Sequence, residues 1–289
     1  MIDLHNHLLP GIDDGPRTLA DSLAMARLAV AAGITRMVCT PHVLPDAAPT
    51  PQQIAQAVAA LRGELDAAGI ALQIDTGAEI AVDVAFELDD DALRGYSLGG
   101  GGVWVLLEMP FEGWPLRLPQ FLADLEMRGF RAVLAHPERA RSVQLSVDRL
   151  RDLVGRGALT QITAEAVTGE FGPLTRQVAR TLVTNGLAHL IASDAHSPTR
   201  RPPGLYPALE QAARWMRAEP AELGWMVTDG PRAVLAGKPV RPPRLGVGPD
   251  PRPAPRPEVR DERPGRPPRD ARPGRPGRPP EPRRRQTSR

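Results

Sequence analysis

Along residues 1–240, short apolar runs alternate with longer stretches whose apolar positions recur every three or four residues. The runs at 2–5, 34–40, 71–76, 103–109, 131–135, 159–163 and 188–193 predict seven β-strands. Between them, Thr18 and Asp21 have the spacing of a helix cap and open an Ala/Leu-rich helix that stops at Gly33. Thr50 and Pro51 open a second helix that runs toward Gly69. Further helices are expected at 84–93, 118–128, 147–156 and 173–185, with two or three more before Ala236.

This alternation predicts an α/β fold around a parallel sheet. An open doubly wound sheet and a closed β/α barrel both satisfy it. No G-x-G-x-x-G turn follows the first strand, so a dinucleotide fold lacks its usual signature. The run from Gly99 to Gly102 precedes a strand instead of opening a helix, which suits a turn better than a phosphate cradle.

Composition divides the chain. Residues 241–289 hold fifteen prolines, fifteen arginines and six acidic residues, with almost no large apolar side chains. Such a segment buries too little apolar surface to offset its ordering entropy, so a disordered Pro/Arg-rich tail is expected. Its net charge of +9 leaves −7 for residues 1–240 in a chain of formal charge +2. A basic arm of this kind suits acidic partners, nucleic acid or anionic lipid, and equally an unselected low-complexity extension. Nucleic acid is not an expected partner of residues 1–240. Residues 1–240 have the length of one large α/β domain.

Cys39 is the only cysteine, which excludes an internal disulfide framework. No eighteen-residue apolar segment occurs, so no membrane span is expected and the cytoplasm is the simplest location.

The ionisable residues sharpen the picture. His5 and His7 close the first strand, His42 the second, Glu79 the third, Glu108 the fourth, His136 the fifth, and Asp194 with His196 the seventh. All lie at the carboxyl ends of expected strands, where α/β folds place their sites. One such residue is most simply a hydrogen-bonded loop residue, but eight at six strand ends are not explained that way. Nitrogen and oxygen donors without thiolates suit Mn, Fe or Zn. Their number exceeds the needs of one ion and implies two or three.

The segments DLHNH with DDGP, CTPH, GAE, HPER, SDAH and RRPP follow one another within residues 1–235. In this the chain resembles the polymerase-and-histidinol-phosphatase (PHP) superfamily of metallohydrolases. Within it, the chain is most similar to the manganese-dependent bacterial protein-tyrosine phosphatases of capsule and exopolysaccharide systems. The resemblance implies a distorted seven-stranded β/α (TIM-like) barrel holding three divalent metal ions, Mn2+ first, with Fe and Zn as alternatives. The implied ligands are His5, His7, Asp14, His42, Glu79, Glu108, His136, Asp194 and His196. Asp14 is selected over Asp13 by the family pattern alone; the residues by themselves leave that choice open. Arg139 of HPER and Arg201 of RRPP are implied as clamps for substrate phosphate, with Arg200 as the neighbouring alternative to Arg201. The implied substrate is a phosphotyrosine protein, a tyrosine autokinase that controls polysaccharide export. Assemblies occur in the family, so a homo-oligomer is an implied state, although no interface signature is visible.

The chemistry follows from the residue types. Phosphomonoester hydrolysis spreads charge over the phosphoryl oxygens. Metal ions would neutralise that charge and make bound water acidic enough to yield hydroxide near neutral pH. Arginine forks would fix the phosphoryl group. In-line attack by the hydroxide, without a phosphoenzyme, is expected. Asp13 and a metal-bound water are the two candidates for protonating the leaving oxygen. A cysteine-based phosphatase needs an arginine six positions beyond its cysteine; Pro45 stands there, so that route is excluded.

Two other functions stay open. One is a small-molecule phosphatase acting on histidinol phosphate, against which DDGP and RRPP weigh. The other is a non-catalytic scaffold using the basic tail, against which the nine intact ligand positions weigh. His189 is expected to be structural, and Trp104, Trp114, Trp215 and Trp225 to be core or rim residues. Phe111 and Trp114 follow the fourth strand and are candidates to meet a phosphotyrosine ring. Glu112, Glu138 and Arg141 are expected to be solvated loop charges.

Overall fold

The computed structural model describes residues 1–242. The tail expected to be disordered from Arg241 lies, beyond its first two residues, outside the described residues. Among the described residues there are nine strands: β1 (Ile2–Asn6), β2 (Arg36–Cys39), β3 (His42–Val43), β4 (Gln73–Thr76), β5 (Glu79–Ala81), β6 (Trp104–Glu108), β7 (Arg131–Ala135), β8 (Leu159–Thr163) and β9 (Leu190–Ala192). All pair in parallel, in a three-stranded sheet ordered β1-β2-β4 and a six-stranded sheet ordered β3-β5-β6-β7-β8-β9.

Seven strands are expected and nine are found because a further short strand, β3 or β5, follows each of the second and third runs. β2 and β3 part at Thr40 and Pro41, where proline has no N–H to give to a ladder. β4 and β5 part at Gly77 and Ala78. A Cβ on Gly77 would lie 2.7 Å from Val38 Cγ1, so the chain passes closer to β2 than any side chain allows. The Glu79 N–H bridges the first break by donating to Pro41 O at 3.1 Å. The two sheets also meet beyond β9. There the Asp194 N–H donates to His5 O and the His7 N–H to Ala195 O, both at 2.8 Å.

The strands are buried on both faces, as parallel strands flanked by helices must be. Trp104 and Leu106 of β6 share one cluster with Val133 and Ala135 of β7, whereas Val105, Leu107, Ala132 and Leu134 join the helix-facing core. The two-residue period puts Glu108 on the Trp104 face, at the carboxyl end of the smaller cluster.

Two helices start where the sequence places their caps. Thr18 accepts from the Asp21 N–H at the head of Leu19–Ala31, and Thr50 forms a capping box with Gln53 at the head of Pro51–Ala67. The helix expected at 84–93 is two short ones, Val82–Ala85 and Asp90–Tyr96. Asp89 interrupts it by capping the second, accepting from the Ala92 N–H at 2.8 Å. Helices Tyr206–Met216, Pro220–Leu223 and Asp229–Leu235 close the described chain. No helix among the described residues is long and apolar enough to cross a membrane.

Candidate metal centre

The carboxyl ends of the strands bring all nine expected ligands together. They form four overlapping groups: His7, Asp14, His42 and His196; His5, Glu79 and His136; His5, His7 and Asp194; His42, Glu79 and Glu108. Within each group the donor atoms lie within 4.8 Å of one another. Among the described residues, no comparable group exists outside these nine. His5, His7, His42 and Glu79 are shared between groups, so the donors surround one continuous space.

Local backbone explains how they converge. The loop after β1 closes on itself, the Gly11 N–H donating to Pro16 O at 2.8 Å. Gly15 passes so close to the first strand that a Cβ there would lie 2.5 Å from His7 O. The glycine of DDGP therefore lets Asp14 fold back over His7, where its carboxylate reaches within 3.4 Å of His196 Nε2 and 3.6 Å of His42 Nε2. His136 and Asp194 have left-handed backbone, with φ of 31° and 52°. Non-glycine residues are held in that region at a cost, and both here are candidate ligands.

The donor atoms have the properties a cation requires. His5 Nε2, His7 Nε2, His42 Nδ1 and Glu79 Oε2 are buried without a hydrogen-bond partner. Glu79 Oε2 sits at their centre, 3.1 Å from His5, 3.4 Å from His7 and 3.1 Å from His42. Donors each about 2.1 Å from one ion are separated by about 3.0–3.4 Å, so this spacing is that of a coordination sphere. The far side of the rings is anchored. His5 Nδ1 donates to Gln161 Oε1 at 2.8 Å, His7 Nδ1 to Asp13 Oδ2 at 2.7 Å, and His196 Nδ1 to Asp194 O at 2.8 Å. A proton on Nδ1 leaves the Nε2 lone pair aimed inward.

Charge in the cavity is finely opposed. Burial pushes the Glu79 carboxyl up, but His5 and His136 outweigh it and hold Glu79 well below the usual carboxylate range. Glu108 moves the other way, raised to about 8 by burial and then by the charge of Glu79. Burial pulls His5 down, yet Glu79 and Asp194 bring it up to about 9. His42 and His136 are lowered by burial. Two carboxylates that repel each other beside inward lone pairs are relieved by a divalent cation, so the residues fit a metal.

Both expected clamps reach this rim. Arg139 Nη1 donates to Asp194 Oδ2 at 3.0 Å, and Arg201 Nη2 lies 2.5 Å from the same oxygen. Arg200 is exposed, so Arg201 is the inward member of the pair. Phe111 is 45 % exposed and stacks on His136 with ring centres 5.9 Å apart. It also lines a groove of about 350 Å3 with Ala81, Phe86, Glu108, Met109 and Pro115. Trp114 packs against the core under Arg149 and does not line that groove.

Some expectations change. Glu138 is not a solvated loop charge. It is fully buried, its Oε1 accepts from the Thr163 N–H at 2.7 Å, and burial raises it to about 7. Asp13, a candidate proton donor, also anchors His7. Burial raises its carboxyl, but His7 outweighs burial and holds it low, and it also accepts from the Gly15 and His42 N–H groups. Gln161 goes unpredicted; its one signal is a polar residue on the face of β8 that Leu159 shares. His189 and Trp104 are structural, as expected: His189 Nδ1 accepts from the Thr160 N–H, and Trp104 is buried with its indole N–H donating to Lys238 O.

The chain is similar to known proteins. Tyrosine-protein phosphatase YwqE of Bacillus subtilis is 36 % identical over 202 residues, covering 70 % of this chain and 79 % of YwqE. Tyrosine-protein phosphatase CpsB of Streptococcus pneumoniae is 27 % identical over 243 residues, covering 81 % of this chain and 98 % of CpsB. A crystal structure from work on those two proteins, described as metal-dependent tyrosine phosphatases, superposes with a TM-score of 0.77 at 32 % identity. The match covers 87 % of this chain and all of that one. Residues 1–235 match the family described as capsular polysaccharide synthesis, CpsB/CapC. The chain belongs to the CpsB/CapC family.

Proposed function

We propose that this chain is a metal-dependent protein-tyrosine phosphatase that removes phosphate from a tyrosine autokinase governing capsule or exopolysaccharide synthesis. The observation that carries this reading is the convergence of nine nitrogen and oxygen donors in four overlapping groups at the carboxyl ends of the strands, with two arginines at their rim. The similarity to YwqE and CpsB supplies the substrate class.

On this reading three divalent ions, Mn2+ in the cell, are held by His5, His7, Asp14, His42, Glu79, Glu108, His136, Asp194 and His196. Bound there, they supply Lewis acidity and a water acidic enough to ionise near neutral pH. The protein's own groups do the rest. Gln161 and Asp13 keep the His5 and His7 lone pairs inward. Arg139 and Arg201 bind the phosphoryl oxygens and stabilise the charge that develops on them. The groove beside Glu108 has room for an aromatic ring, which supports tyrosine over serine as the residue carrying the phosphate. The two sheets are read as one distorted seven-stranded β/α barrel, β2 with β3 and β4 with β5 each counting once; the backbone bonds joining β1 to Asp194 and Ala195 support this. On this reading the enzyme acts in the cytoplasm, which the lack of a membrane-crossing helix among the described residues supports.

The test compares wild type with His136→Ala on a phosphotyrosine peptide, a phosphoserine peptide and histidinol phosphate, with bound metal measured in parallel. The reading predicts phosphotyrosine as the preferred substrate and a loss of both metal and turnover in the variant. Preference for histidinol phosphate would replace it with the small-molecule reading.

A further inference from the structure

Arg139 touches two aromatic rings. Its guanidinium carbon lies 4.8 Å from the ring centre of Phe111 and 4.8 Å from that of Phe171. Arg201 lies over the same Phe171 ring at 5.5 Å. Phe171 is thus a single side chain beneath both arginines. It is half-buried, stands directly before the helix Gly172–Thr184, and is not among the candidate metal ligands.

The polar contacts of the two arginines cannot by themselves fix their planes. Both guanidinium groups lean on one oxygen, Asp194 Oδ2, and Arg201 has Glu165 only at 3.7 Å. Asp194 is also a candidate ligand, so a cation beside it draws on the charge that would hold the arginines. An aromatic face works differently. It attracts the guanidinium through its quadrupole and fixes the plane, while leaving the N–H edge free for another acceptor. Two arginines on one ring are thereby aimed together.

We propose that Phe171 is a positioning residue for substrate phosphate: its ring sets the planes of Arg139 and Arg201 so that their N–H edges meet one phosphoryl group. The proposal rests on the reading of those arginines as phosphate-binding groups.

The experiment uses the full chain loaded with Mn2+ and compares Phe171→Leu, Phe171→Tyr and Arg139→Ala with wild type. Inorganic phosphate is the binding probe, read as a competitive inhibition constant beside KM and kcat on a phosphotyrosine peptide. Bound metal and thermal midpoint are measured on the same samples. Phe171→Leu keeps apolar volume but removes the aromatic face. It is expected to weaken phosphate binding about 3- to 30-fold, with metal content unchanged. Phe171→Tyr keeps the face and is expected to stay within about two-fold of wild type, which a mere packing role would not require. If Phe171→Leu does not fold, Phe171→Met is read in the same way.

Unchanged phosphate affinity in the folded Leu or Met variant would overturn the proposal, as would an equal loss in the folded Tyr variant. The two readings fail separately. If Arg139→Ala weakens phosphate and Phe171→Leu does not, only the role of Phe171 falls. If Arg139→Ala leaves phosphate binding intact, the assignment of the arginines falls first and takes this proposal with it.

Discussion

His7 Nδ1 lies 2.7 Å from Asp13 Oδ2, and the same oxygen accepts from the His42 N–H at 3.2 Å. One carboxylate therefore orients the ring of one candidate ligand and fixes the backbone of another at the start of β3. Carboxylates behind metal-bound histidines raise the basicity of the ring and hold its tautomer. Asp13→Ala is expected to weaken Mn2+ binding about 10- to 100-fold, read by calorimetric titration of metal-stripped protein. Wild-type affinity combined with lost turnover would instead favour Asp13 as a proton donor.

Gly15 admits no side chain. A Cβ there would lie 2.5 Å from His7 O and 2.9 Å from His7 Cβ, directly after the first strand. Gly15→Ala should therefore displace the loop that carries Asp14. A cost of about 1–3 kcal/mol in urea unfolding is expected, together with fewer ions bound per chain. A variant with wild-type stability and metal content would show that the loop relaxes freely.

Glu138 joins the HPER turn to the end of β8 through its bond from the Thr163 N–H. Glu138→Ala leaves that buried donor without a partner, at a cost of about 1–3 kcal/mol. Glu138→Gln retains an acceptor in the same place and should lose less. Denaturation midpoints for the pair decide the matter, and equal losses would point to packing instead.

His189 gives a pH signature away from the centre. Burial holds its imidazole down at about 4, whereas the unfolded chain takes up the proton near pH 6.5. Its contribution to stability is complete above pH 6.5 and is lost as the pH falls from 6.5 toward 4, by up to about 3 kcal/mol. Over that range wild type should lose stability more steeply than His189→Gln. Parallel curves from denaturant titrations would contradict the buried neutral ring.

The strands and the donors at their ends are legible because the signals are local. An apolar run marks each strand, and a histidine or carboxylate at its end is conspicuous against that run. The helix starts at Thr18 and Thr50 are legible for the same reason, since a cap and its partner lie three residues apart. Asp13, Gln161, Glu138 and Phe171 escape because each acts through a partner that only the fold supplies. Gln161 and His5 are 156 residues apart, and Glu138 and Thr163 are 25 apart. β3 and β5 also escape: they are two and three residues long and lie beyond Pro41 and Gly77, where the apolar runs have already ended. Asp14 shows the limit most plainly: adjacent to Asp13 and identical to it in type, it is distinguished only by the turn at Gly15.

The central claim is that the nine donors hold metal ions on which phosphotyrosine hydrolysis depends. Its most direct test is turnover of a phosphotyrosine peptide by chelator-stripped protein titrated with Mn2+, with bound metal counted at each point. The account predicts negligible turnover in the stripped protein and recovery that rises with occupancy and saturates near three ions per chain. Full turnover in protein shown to be metal-free would contradict it.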